Sequence, residues 1–325
     1  MTDLKVETVK VGPVEKHPNA DTLSIAKVYD FLVVIRTGDF KEGDTAIYIP
    51  VDSMVNTDRP EFAFLKSHEK RNRERIKAKK IRGVFSMGML IPINPMLTHT
   101  GDWAMDLEIT KYEEPEPLCD ESIKDNGKLV GYTNIDSLRR YNDIFNPGEQ
   151  VIVTEKVHGA NGRWMWDGTE MHAGSHHMMK KPGTSMWWKA IEPYAEKLKA
   201  FPNFQFFGEV YGQVQDLKYG MNSGFKILFF DVFDKVNGRY VDFDTFYNLC
   251  INLHLPMVPV LYNGPYSKEV IAELAEKDSA VCPGQLMEGV VVRPVVERWN
   301  PTVGRVILKY HSERYLTRKG GTERK

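Results

Sequence analysis

The sequence predicts an α+β chain of two domains, an all-β barrel-like module followed by a larger domain built on antiparallel sheets. Three observations carry this prediction. Residues 1–110 read as short strands broken by turn residues. An acidic, proline-containing stretch follows. Beyond it, longer apolar strands alternate with amphipathic helical stretches.

In the first region, LKVETVKV, TLSIAKV, FLVVIRTG and TAIYIPV are apolar or β-branched with rough alternation. HPNAD, VYD and FKEGD separate them and supply Pro, Gly, Asn and Asp where turns need them. Regular short strands of this kind predict a small barrel or sandwich. EKHPNADTLSIAKV resembles the start of the OB-type tRNA-binding modules, so residues 1–110 are expected to form an OB-like RNA-binding domain. A Pro-Asn turn leading into a strand is the other reading of that segment. Residues 111–130 are the expected acidic linker, since YEEPEPLCDESIKDNGK (112–128) holds two prolines and no apolar periodicity. In residues 131–325, EQVIVTEKV, FQFFGEVYG, KILFFDVFD (expected to end at Asp231), GVVVRPV and RVILKY read as strands. Trp187–Leu198 and Glu269–Glu276 read as helices.

With 42% hydrophobic residues in 325, the chain has enough apolar material for a sizeable core. No run approaches the roughly 20 apolar residues of a membrane span, and MTDLKVETVK lacks the pattern of a signal peptide. No membrane partner is expected. Cys119, Cys250 and Cys282 lie far apart without metal-ligand spacing, which predicts reduced thiols in a cytoplasmic setting, that of a host or of a virus acting in one. The net charge of −1 does not mark a nucleic-acid binder, but its distribution is uneven. Nine Lys or Arg fall between Lys66 and Arg82, nine acids between Asp102 and Asp125, and seven Lys or Arg between Arg305 and Lys325. Basic runs flanking an acidic one fit a phosphate backbone, and each also fits a solvated face.

The chemistry concentrates in five segments. TEKVHGANGRW (154–164) sets Lys156 between an apolar strand and a turn with Gly159 and Gly162, where an amine meets a phosphate approached by backbone N–H groups. FFGEVYG puts Glu209 between a strand and a turn, KILFFDVFD carries Phe230 and Asp231, MEGVVVRP puts Glu288 at the start of an apolar strand, and RVILKYHS puts Lys309 on the next strand. Singly, each fits ordinary β structure with an exposed charge. In this order they resemble the covalent nucleotidyltransferases: DNA ligases, RNA ligases and mRNA capping enzymes. The chemistry such proteins perform needs these residue types. An amine that attacks the α-phosphorus of a nucleoside triphosphate must first lose its proton, which nearby cations and desolvation favour. A second lysine neutralises charge on the five-coordinate phosphorus. Carboxylates hold a hydrated Mg²⁺, and an aromatic ring gives the base a flat wall.

Within that group, KVHGAN has His158 where DNA ligases and capping enzymes carry aspartate, and KxHGxN resembles one RNA ligase branch. KAKKIRGVFSMGMLIPI (77–93), TNIDSLRRYNDIFNPGEQVIVTEKVHG (133–159) and LKYHSERYLTRKGGTE (308–323) resemble the Deinococcus-type RNA ligases, whose OB-like domain precedes the catalytic one. No OB domain is expected after Lys309. The resemblance implies catalysis by Lys156, Glu209, Glu288 and Lys309. It implies nucleotide binding by Glu155, His158, Gly159, Asn161, Phe230 and Arg293, and metal binding by Glu209 and Glu288. Phe229 and Phe233 are the other aromatic choices, and a turn-stabilising imidazole is the other reading of His158. The implied cofactors are ATP and Mg²⁺, with Mn²⁺ as a substitute. The implied partner is RNA, as a nicked duplex or as 3′-OH and 5′-phosphate ends, met by a monomer. Two positions depart from the family pattern. Ile307 stands where relatives carry a basic residue, with Arg305 or Arg293 as candidates to compensate. His176, near Lys180 and Lys181, stands in place of an arginine. His172, His176 and His177 lack a fourth ligand, so no transition-metal site is expected.

Overall fold

The four strands expected near the N-terminus occur at Glu7–Lys10, Leu23–Val28, Phe31–Arg36 and Thr45–Ile49. They are seen in a computed structural model that describes residues 4–66, 72–96, 99–112, 122–124 and 127–319. The centre of the acidic stretch with Cys119, residues 67–71 of the first basic run and residues 320–325 of the last lie outside the described residues. By contacts the chain divides into two units, one of residues 2–114 with 138–142, the other of 115–137 and 143–325.

In the first unit, Thr45–Ile49 pairs antiparallel with Glu7–Lys10 on one side and Met89–Pro92 on the other. Leu23–Val28 lies between Val14–Lys16 and Phe31–Arg36, and Ser53–Asn56 between Arg73–Arg75 and Thr110–Lys111. Alternation decides the inward face: Phe31, Val33 and Ile35 are buried while Leu32 and Arg36 are exposed. Ile47, Ile49, Val55, Phe62 and Leu107 close a core against Trp103. Residues 138–142 complete this unit. The Asp30 N–H donates to the Arg139 carbonyl at 2.9 Å, Asn142 donates to the Asp30 carboxylate at 3.1 Å, and Arg140 pairs with Glu7.

The second unit holds two sheets. Seven antiparallel strands run in the order Ser122–Ile123, Met179–Lys180, Met171–Gly174, Ala160–Trp166, Phe204–Gly212, Phe225–Asp234 and Arg239–Tyr240. Five strands form the other in the order Asp136–Ser137, Leu308–His311, Gly289–Pro294, Gln150–Lys156 and Val260–Pro265, with only the first pair parallel. Trp164, Phe206, Phe229 and Val232 point from the seven-stranded sheet into a core shared with Trp187, Ile191, Phe246 and Leu249. Each such side chain, fully buried, contributes about 1.5–3 kcal/mol.

Three expectations need correction. Trp187–Leu198 is not one helix but two, Met186–Ile191 and Ala195–Leu198, because Pro193 removes a donor and its ring blocks the preceding turn. The strand holding Phe230 continues past Asp231 to Asp234, with a bulge that leaves Phe230 without a partner in the register. RVILKY is not continuous: Gly304–Arg305 pairs with Trp299–Asn300, and the next strand begins at Leu308. Helix Phe243–Leu253, ended by His254 in the left-handed region, was not anticipated. Lys268–Ala275 matches the other expected helix to within a residue. Cys250 and Cys282 are free thiols. No described helix is long and apolar enough to cross a membrane.

Candidate active site

The strand Gln150–Lys156 is apolar through Val153 because it lies in the middle of its sheet, and it ends at Lys156, the first half-exposed position since Gln150. Lys156 is in register with Gly289, and Gly289 with His311. One row over, Val291 is in register with Lys309. Lys156, Lys309 and His311 therefore share one face of the five-stranded sheet. Glu288 reaches the same place because Gly289 has φ +153, and a Cβ there would stand 2.3 Å from the Tyr310 carbonyl oxygen. The Glu288 carboxylate accepts from Lys156 Nζ at 2.7 Å, with His158 Nδ1 and His311 Nε2 each at 3.5 Å.

The seven-stranded sheet supplies Glu209 and Asn161, which face each other in register. Gly159 sits so close to the strand carrying Glu209 that a Cβ would fall 2.1 Å from the Val210 carbonyl oxygen. That approach brings Glu209 against the turn of residues 157–159. Phe207, Glu209 and Tyr211 alternate onto the face away from the core, and Leu228 and Phe230 flank them. Phe230 is half-buried, with Phe207 and Tyr132 against it. Phe229 is fully buried in the core and Phe233 packs on Tyr240, so of the three candidate rings Phe230 is the half-buried one on this face.

Electrostatics separate the carboxylates. Burial raises Glu209 to about 7, with Lys156 pulling it down and Glu288 pushing it up. Burial also opposes ionisation of Glu288, but Lys156, His158 and His311 hold it well below the usual carboxylate range. For His158, burial disfavours the charged form, yet hydrogen bonds to Asp216 and Glu288 raise it to about 9. Burial takes His311 down to about 4, aided by Lys309 and Lys156.

Other expected residues have different surroundings. The Glu155 carboxylate, buried on the opposite side of its strand, accepts from the Ser279 hydroxyl and the N–H groups of Ala280 and Val281, so its side chain fixes a loop. Arg293 is buried with Asp231 at 3.2 Å and Glu297 at 3.3 Å. Arg305, also buried, donates to Asp231 at 2.6 Å and to Glu297. Both arginines are thus committed to a buried ion cluster and do not replace a basic group at Ile307. Ile307 itself is buried against Tyr132 and Phe207, where an ammonium would be costly. Lys180 is buried over the Trp187 ring and donates to Ser122. His172 is held by Asp167 at 2.8 Å.

Four residues not singled out in the sequence complete the pocket. His158 Nε2 meets Asp216 at 2.9 Å, Tyr315 lies 3.1 Å from His158 Nδ1, and Arg318 donates twice to Asp216. Tyr219 accepts from the His158 N–H at 2.7 Å. Asp216 and Tyr219 occur in VQDLKYG, directly after the Glu209 segment. Tyr315 and Arg318 occur in SERYLTRK, directly after Lys309. Adjacency to two candidate motifs was the available signal.

The pocket fits a nucleotide with a hard divalent cation. Glu209 and Glu288 are oxygen donors close enough to disturb each other's ionisation, as suits Mg²⁺ or Mn²⁺. The buried amide oxygen of Asn161 has no hydrogen-bond partner among the described residues, an acceptor on the face where a ligand would lie.

A family model described as RNA ligase matches residues 149–311, and one described as an OB-fold domain matches residues 5–93. No curated protein matches at a significant level. Among solved structures, a Naegleria gruberi RNA ligase variant with ATP and Mn superimposes at TM-score 0.82 and 21% identity, covering 95% of this chain and 97% of that one. The same ligase with PPi gives TM-score 0.81 at 20% identity over 97% and 98%. A further variant with AMP and Mn gives 0.82 at 21% over 95% and 97%. The two-part architecture, an OB-fold followed by a sheet-rich ligase domain, is therefore shared along the whole chain. With half of its length matched by the family model, this chain belongs to the RNA ligase family.

Proposed function

We propose that the protein is an ATP-dependent RNA ligase of the OB-first, Deinococcus-type branch that seals 3′-OH and 5′-phosphate ends through a lysyl-AMP on Lys156. The observation that carries this reading is the placement of Lys156: a strand-end amine 2.7 Å from Glu288, on one sheet face with Lys309 and near enough to Glu209 to favour its ionisation. In the first step the Lys156 amine attacks the α-phosphorus of ATP. The nitrogen gives up its extra protons to solvent as the P–N bond forms, the bond to the β-phosphate oxygen breaks, and pyrophosphate leaves. An oxygen of an RNA 5′-phosphate then attacks the AMP phosphorus and the P–N bond breaks, returning the amine; a 3′-OH, losing its proton, attacks the 5′-phosphate phosphorus and expels AMP.

Lys309 supplies positive charge at the phosphates, and Phe230 supplies the wall for adenine. Asn161 accepts from the nucleotide, and the Gly159 backbone keeps the turn close to it. Glu209 and Glu288 hold Mg²⁺ or Mn²⁺, which when bound lowers the charge of the triphosphate. The side chains of Glu155 and Arg293 act indirectly, as supports of the loop and sheet around the nucleotide. The N-terminal unit holds the RNA. Structures of a neighbour with ATP, AMP and Mn support the choice of cofactors, and every residue named at the pocket comes from this one chain, in keeping with a monomer.

The test is sealing of a nicked duplex with defined ends. Joining should require ATP, a divalent metal, a 5′-phosphate and an RNA 3′-OH strand. Equal joining with GTP, or exclusive joining of DNA 3′-OH strands, would contradict it.

A further inference from the structure

Five side chains of alternating charge form a line through the pocket. Lys156 touches one oxygen of Glu288 at 2.7 Å, and the other oxygen of Glu288 faces His158 Nδ1 at 3.5 Å. The opposite ring nitrogen of His158 meets Asp216 at 2.9 Å, and Arg318 grips both oxygens of Asp216 at 2.7 and 3.1 Å. Both nitrogens of His158 are thereby occupied, because Tyr315 also lies 3.1 Å from Nδ1. Both ring nitrogens are engaged by protein groups, and the direction of the ring is set by Asp216 and Tyr315.

The outer end of the line is anchored by the C-terminal helix Glu313–Leu316. The Arg318 guanidinium lies 3.7 Å from the centre of the Tyr315 ring and donates to the Tyr315 carbonyl at 2.8 Å. Ser312 caps the helix through the Tyr315 N–H, and its own N–H donates to the Glu288 carbonyl at 3.0 Å. Glu276 accepts from Ser312 and from the Glu313 N–H. The helix segment thus ties Glu288, through the Ser312 N–H, to Arg318, through the Tyr315 carbonyl, at the outer end of the line.

We infer that Asp216 and Arg318 are positioning residues for the nucleotidyl-transfer step: they fix the His158 ring, which restrains Glu288 so that Lys156 leaves its carboxylate and turns toward the phosphorus. Without His158 the Glu288 carboxylate would be restrained only through the oxygen it shares with Lys156 and His311, and would be free to swing with the amine. Held by His158 on one oxygen, it stays in place as the amine departs. This inference rests on the lysyl-AMP reading above. It adds that Asp216 and Arg318, which lie outside the five strand motifs, govern the rate of the first step through the His158 ring.

The experiment is a double-mutant cycle on the full chain. Lysyl-AMP formation is measured against ATP concentration for wild type, Asp216→Asn, His158→Asn and the double variant, with Arg318→Lys and Arg318→Ala alongside. Asp216→Asn keeps the shape of the side chain, and thermal unfolding checks that each variant folds. The expected result is a fall of at least about 10-fold in the rate at saturating ATP for Asp216→Asn, with KM for ATP changed by less than about 3-fold. Once His158 is replaced, Asp216→Asn should cost little more. Arg318→Lys should retain more activity than Arg318→Ala. Additive losses in the double variant would overturn the inference, and so would a raised KM with an unchanged rate, which marks direct nucleotide binding. Failure of wild type itself to label would instead defeat the lysyl-AMP reading, and this inference with it.

Discussion

Burial disfavours the charged form of the His158 imidazole, but Asp216 and Glu288 outweigh it and raise the group from its ordinary 6.5 to about 9, so the bound proton stabilises the fold fully below pH 6.5. That contribution is lost as pH rises through about 9, and its size is on the order of 1–3 kcal/mol. Tm should therefore fall between pH 7 and 10 by more in wild type than in His158→Asn. Equal falls would show that the imidazole does not carry this charge. Lys156 and Glu288 are legible in the sequence because each stands at the end of an apolar strand, where alternation must give way to chemistry. The partners of His158 are not, because ring contacts across 58 and 157 residues of sequence have no local pattern. The motif position of Arg293 points to the nucleotide, and its burial beside Asp231 has no local pattern either.

At the scale of elements, strand positions follow from alternation and β-branched content: the strand Phe204–Gly212 has the bounds of FQFFGEVYG, although Glu209 lies inside it and not between a strand and a turn. Helix Phe243–Leu253 was missed because its aromatic and β-branched residues read as well for a strand, and only the sheet it covers decides the matter. Two close approaches define the pocket. Gly289→Ala should force Gly289–Pro294 from Leu308–His311 and cost about 1–3 kcal/mol, with lysyl-AMP formation falling more than 10-fold. Urea unfolding and labelling with ATP check the two effects separately. The buried cluster makes a further prediction. Asp231→Ala leaves Arg293 and Arg305 buried with one of their two shared carboxylates, Glu297, and should lower stability by about 3–5 kcal/mol. A change below 1 kcal/mol in chemical unfolding would mean that Glu297 alone compensates.

At the scale of the whole molecule, the order of the two parts was readable from composition. The inclusion of residues 138–142 in the first unit was not, since TNIDSLRRYND carries no signal of where it packs. The first basic run gains a structural context here. Arg36, Lys77 and Lys79 line a cavity of about 900 Å³ in the N-terminal unit, together with Phe64, which is 65% exposed. If this unit holds RNA, replacing Lys77 and Lys79 by Glu should weaken RNA binding and flatten its salt dependence by roughly 0.7 in log–log slope per lost contact, while lysyl-AMP formation is unchanged. Removal of residues 1–110 should likewise reduce sealing more than self-adenylylation. Equal losses in both would refute this division of labour.

The most direct test of the covalent mechanism is incubation of the purified protein with α-labelled ATP and Mg²⁺, followed by denaturing electrophoresis. The account predicts a labelled band in wild type that is absent in Lys156→Ala, and that pyrophosphate discharges. An unlabelled wild type, after pyrophosphate treatment to remove bound AMP and repetition with Mn²⁺ and GTP, would contradict it. So would a Lys156→Ala band of normal intensity.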